Sequence, residues 1–100
     1  MIIPNLKLPM KAIRRLCQEY YVRELALFGS VLRDDFRTDS DVDFLVQFEE
    51  DASIGFFELT GMQNALSDLL KRKVDLVVKD GLKPIIRDSV INSSRVIYAQ

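Results

Sequence analysis

The chain has no histidine at all and only one cysteine, Cys17. Without histidine there is no imidazole base, no Ser-His-Asp triad and no His-ligated zinc. One cysteine cannot close an intramolecular disulfide, which fits a reducing compartment. Long apolar runs are missing too. Nothing approaches the ~20 residues of a membrane span, and Met1 to Pro9 lacks the apolar core of a secretory signal. The expected setting is cytoplasmic, with no membrane partner. A positive surplus is also lacking, since 14 basic residues face 15 acidic ones. Polymer-binding proteins usually carry a basic excess, so direct nucleic-acid binding is not expected. The one tight basic cluster, Lys71-Arg72-Lys73, reads as a solvated helix end.

What is present is one domain spanning residues 1–100, with 48% hydrophobic content. A chain of this length buries roughly two-thirds of its unfolded surface, enough for a single core. It leaves no mass for a separate acceptor-binding domain. If the chain is an enzyme, its acceptor either meets a minimal surface or is a macromolecule that docks.

Periodicity places the elements. Ile13, Leu16, Cys17 and Tyr20 recur at helical spacing between Met10 and Tyr21, behind Pro9. Val22 to Phe28 reads as a strand closed by Gly29-Ser30. The polar stretch 30–40 predicts a short helical turn and a loop. From Asp41 to Phe48 a second strand sets Val42, Phe44, Val46 and Phe48 on one face and Asp41, Asp43 and Leu45 on the other. Ile54 to Arg72 reads as the longest helix, with a stripe of Phe57, Met62, Leu66, Leu69 and Leu70. Lys73 to Val78 is a third strand, Asp80-Gly81 a turn, Pro84 to about Asn92 a short helix, and Arg95 to Ala99 a last strand. The fold class is α/β (α+β): a small mixed sheet flanked by helices in the order α-β-α-β-α-β-α-β. Phe56, Phe57 and Val96-Ile97-Tyr98 read as core or, where exposed, as a partner surface.

Three aspartates carry the chemistry. Asp is depleted in strands, and like charges on one strand face repel. Asp41 and Asp43 lie two residues apart, roughly 7 Å along a strand, with side chains on one side. Asp75 interrupts the otherwise apolar run Val74 to Val78. If the second and third strands are neighbours, about 4.8 Å apart, Asp75 completes a triad. An all-oxygen site without histidine suits Mg²⁺ or Mn²⁺. Asp39, Asp41 and Asp43 with Glu50 mimic the spacing of a calcium loop, but Phe44 replaces its obligatory glycine and the next residues alternate as a strand. Gly29-Ser30, between a strand and a helical turn, offers N–H groups and a hydroxyl to a phosphate. Arg33, and less directly Arg37, would add charge there.

Gly29-Ser30, ten residues, then Asp41-Val42-Asp43 resembles the signature of the DNA polymerase β-like nucleotidyltransferases. Ala26 to Arg33, Ser40 to Val46, and Val74 through Lys83-Pro84 to Tyr98 resemble the minimal members of that superfamily. Arg33-Asp34 departs from the arginine-glycine common there, which bears on the chain path between residues 33 and 40. The resemblance implies the polymerase β-like fold and transfer of a nucleoside monophosphate from an NTP, most often AMP from ATP, to an acceptor hydroxyl. It implies a triphosphate near Gly29, Ser30 and Arg33, and two Mg²⁺ ions on Asp41, Asp43 and Asp75, with Asp75 as general base. It further implies an antitoxin that adenylylates a tyrosine of a HEPN-type ribonuclease toxin. Two alternatives stand beside this. One is transfer to a small molecule, such as an aminoglycoside, with the acceptor site shared across a homo-oligomer. The other is a catalytically silent nucleotide-binding module acting by binding alone. Retention of all three carboxylates favours activity.

Overall fold

A computed structural model describes residues 6–32 and 41–100. The predicted order is found, with the first helix shorter at its C-terminal end and the longest at both ends than the periodicity suggested, and the last one as expected. Helix α1 (Met10–Glu19) buries Ile13, Leu16 and Cys17. It stops where Tyr21 takes a left-handed backbone at φ 57°. Strand β1 (Val22–Phe28) runs into a single 3-10 turn, Gly29–Leu32, and β2 spans Val42–Phe48. Helix α2 (Phe56–Leu70) follows, starting where the Gly55 N–H donates to Glu58 Oε1 at 3.3 Å. It ends at Lys71, whose φ of 54° cannot continue a right-handed helix. Strand β3 (Val74–Val78), helix α3 (Pro84–Ser93) and strand β4 (Arg95–Ala99) complete the chain.

The four strands form one sheet in the order β3-β2-β1-β4. β1 is antiparallel to both β2 and β4, while β2 and β3 are parallel and joined through α2. A parallel pair needs such a crossover, whereas antiparallel neighbours do not. The register sets Leu27 beside Phe44 and Phe44 beside Leu76, with Leu25 beside Val46. These side chains, with Met62 and Leu66 of α2 and Ile13 and Cys17 of α1, form the core. The opposite face carries Ala26, Leu45 and Val77 in one row and Phe28, Asp43 and Asp75 in the next. Helix α3 buries no residue fully. Its half-buried Arg87, Val90 and Ile91 recur at helical spacing and mark its inward side.

The stripe expected on α2 needs two corrections. Met62 and Leu66 are fully buried, with Leu59 and Leu70 packed beside them, but Phe57 is 88% exposed and Leu69 37%. Phe57 lies round the helix from Leu66, so its apolar character reflects no place in the core. Along the β3 edge, Gln63 Oε1 of α2 accepts the Leu76 N–H at 2.9 Å. A donor that would otherwise invite another strand is thereby satisfied.

Cys17 is wholly enclosed, and desolvation pushes its thiol from 9.0 up to about 12. The fold therefore favours the protonated form. That contribution to stability is complete below pH 9.0 and lost as pH rises towards about 12. Denaturant unfolding over this window should show a steeper alkaline fall for the wild type than for Cys17→Ala. Parallel curves would show that the thiol does not titrate with folding.

Candidate active site

Strand direction brings the sequence-predicted residues to one end of the sheet. The C-terminal end of β1 and the N-terminal ends of β2 and β3 coincide there, because β1 opposes the other two. Phe28 pairs with Asp43, and Asp43 pairs with Asp75 across the parallel strands. Two carboxylates thus stand side by side on one face, about 4.8 Å apart at the backbone. Asp43 is half-buried and Asp75 exposed. Such a pair is electrostatically unfavourable in isolation, and nothing in sheet packing requires it.

Asp41 precedes β2 by one residue and is exposed. Its Oδ2 lies 3.9 Å from Lys73 Nζ, a loose pair with both side chains in water. The Val42 N–H donates to the Lys73 carbonyl at 2.9 Å, which fixes where Lys73 meets the start of β2. Lys73, read from sequence as part of a solvated helix end, thus faces a candidate ligand. The signal was its position two residues before Asp75, interpretable only once the β2–β3 register is known.

Gly29 has φ +78°, and a Cβ there would stand 2.5 Å from Asp43 Oδ2. Only glycine allows both this backbone and this approach. The Asp43 carboxylate therefore fills the space that a side chain at position 29 would take. Gly29 and Ser30 open a turn of four residues, too short to act as an extended helix dipole. It contributes directed N–H groups and the Ser30 hydroxyl. Arg33 and Arg37 lie outside the described residues.

The expected meeting of three carboxylates is realised in part. Among the described residues, no group of three acidic or thiol side chains converges closely enough to cage a metal ion. Asp43 and Asp75 are adjacent, while Asp41 is turned to Lys73. The fit to a hard divalent cation rests on two features: an all-oxygen donor set, and the Gly29 cradle that admits the Asp43 carboxylate. None of these residues lines the cavity of about 450 Å³ found between Tyr21 and Glu58, at the opposite end of the sheet. The carboxylates instead occupy an open strand-end surface. No described helix is long and apolar enough to cross a membrane.

Comparison with known proteins bears on this arrangement. Residues 9–97 match the nucleotidyltransferase domain family. The chain is 42% identical over 86 residues to the protein adenylyltransferase MntA of Thermococcus cleftensis, covering 85% of this chain and 82% of that one. It superposes on a structure described as a minimal nucleotidyltransferase with a TM-score of 0.71 and 35% identity, covering 85% of each chain. The fold also matches a Shewanella oneidensis complex of a tri-AMPylated HEPN toxin with an MNT antitoxin. That likeness has a TM-score of 0.66 at 17% identity, over 91% of this chain and 70% of the other.

Proposed function

The chain belongs to the nucleotidyltransferase domain family, and on that premise we propose that it moves AMP from ATP to a hydroxyl of a partner protein of the HEPN toxin class, acting as the antitoxin. The observation that carries this reading is the Asp43–Asp75 pair beside Gly29, two carboxylates side by side on one face of the sheet. The named activity of the 42%-identical relative supports the adenylyl donor, and the AMPylated HEPN complex supports the acceptor class.

Each residue has a stated part. The Gly29 and Ser30 N–H groups and the Ser30 hydroxyl would receive the triphosphate, with Arg33 adding charge. Asp41, Asp43 and Asp75 would hold Mg²⁺, or Mn²⁺ in its place. When bound, the cations supply charge neutralisation at the attacking and leaving oxygens of the displacement. The acceptor oxygen attacks the α-phosphorus, the bond to the β-bridging oxygen breaks, and pyrophosphate leaves. An Asp75 carboxylate oxygen takes the proton of the acceptor hydroxyl, a role its exposed position allows. Lys71 and Lys73, both exposed near this end, favour approach of the anionic nucleotide.

The test is the intact mass of a HEPN-type partner protein after incubation with this chain, ATP and Mg²⁺. A gain of whole AMP units, absent with Asp41→Ala/Asp43→Ala, is expected. No gain with any of the four NTPs, despite a stable complex, would assign inhibition by binding instead.

A further inference from the structure

The end of the sheet opposite the carboxylates has a chemistry of its own. Among the described residues, seven large apolar side chains are exposed, and five of them, Tyr21, Phe56, Phe57, Ile85 and Ile86, belong to segments at this far end. α1 ends there, α2 begins there after β2, and α3 begins there after β3. Phe56 and Phe57 are 78% and 88% exposed and meet edge-to-face with ring centroids 6.5 Å apart. Adjacent aromatics this exposed cost hydration in the free chain and are typical anchors of protein interfaces.

Beside them lies the cavity of about 450 Å³, walled by Tyr20, Tyr21 and Ile54 and rimmed by Glu19, Glu49, Asp51 and Glu58. No lysine or arginine lines it. Among the described residues, Glu19, Glu49 and Asp51 have no ion-pair partner. Four carboxylates around an aromatic hollow select a cationic group on an apolar stem, which an arginine side chain supplies through charge and stacking.

We propose that this far end is the docking surface for a protein partner that inserts a basic side chain into the hollow walled by Tyr20, Tyr21 and Ile54 and sets apolar residues against the exposed Phe56–Phe57 pair. The partner's identity rests on the adenylyl-transfer reading: it is the acceptor protein itself. Docking here leaves the carboxylate end open to nucleotide and acceptor hydroxyl. The longest dimension of the chain is 37 Å, which a partner helix of about 25 residues spans at ~1.5 Å per residue.

The experiment measures affinity for the acceptor protein by calorimetry, for the wild type, Phe56→Ser/Phe57→Ser and Glu49→Lys/Asp51→Lys. AMP-PNP affinity and acceptor adenylylation are measured in parallel. The serine variant is expected to bind the partner at least ~30-fold more weakly. The lysine variant should lose roughly 10-fold and much of the salt dependence. AMP-PNP affinity should stay within about 2-fold for both, since neither variant touches the carboxylate end. Both variants binding and modifying the partner like the wild type would overturn the docking surface and leave the function standing. Lost binding in the variants, with no AMP transferred by any chain, would support the surface and sink the transfer reading. Self-association of the wild type that the serine variant abolishes, with partner affinity unchanged, would assign the surface to a second copy and overturn the proposal.

Discussion

Asp43→Asn is expected to lower nucleotidyl transfer by roughly 10³-fold or more while leaving the chain as stable as the wild type, or slightly more stable. The two effects have opposite signs for one reason. Asp43 sits beside Asp75 across parallel strands, so two negative charges share one face. Like charges directly opposite one another destabilise a sheet, and an isosteric amide removes that repulsion without disturbing packing. Asn also removes the half-buried carboxylate proposed above to hold a cation. A 10³-fold loss corresponds to about 4 kcal/mol of transition-state stabilisation. Denaturation and transfer should be measured on the same preparation. A loss of stability that accounts for the loss of activity would mean Asp43 is structural. Unchanged transfer would remove it from the site.

Gly29→Ala should be the most damaging single methyl addition among the glycines. Two costs coincide at position 29. The backbone has φ +78°, and the new Cβ would stand 2.5 Å from Asp43 Oδ2. The left-handed conformation alone costs an L-residue about 1–2 kcal/mol. Relief of the overlap requires Asp43, a short side chain, to swing out of its cradle. A stability loss of about 1–2 kcal/mol and a transfer loss of roughly 100-fold are expected, with a raised Mg²⁺ requirement if Asp43 is the ligand proposed above. Gly81→Ala is the control, since nothing lies within 4 Å of a Cβ there and its φ is not left-handed. It should fall within about 0.5 kcal/mol of the wild type. Equal effects at the two positions would show that the Gly29–Asp43 contact has no special consequence.

Much of this site was legible in the sequence because strand alternation is local. Val42, Phe44 and Val46 are all fully buried, so Asp43 between them had to face the other way. The same logic placed Asp75 opposite Val74 and Leu76, both buried. Which strands are neighbours was not legible. Order β3-β2-β1-β4 depends on pairings far apart in sequence, and periodicity carries no information on them. The Lys73–Asp41 contact was hidden for that reason. Phe57 misled for another. An apolar residue in a helix reads as core unless its angular position is checked against the rest of the stripe, and Phe57 fails that check. The Gly29–Asp43 approach was half visible: spacing identified both residues, but only coordinates show them in contact.

On the proposed function, the nucleotide and its metal bind where β1 ends and β2 and β3 begin. Electron paramagnetic resonance of Mn²⁺ titrated with AMP-PNP and the protein tests it most directly, independently of any acceptor. Nucleotide-dependent loss of the free Mn²⁺ signal is expected with the wild type, and none beyond the Mn²⁺–nucleotide background with Asp43→Asn/Asp75→Asn. Equal binding by the two chains would contradict it and place the nucleotide elsewhere.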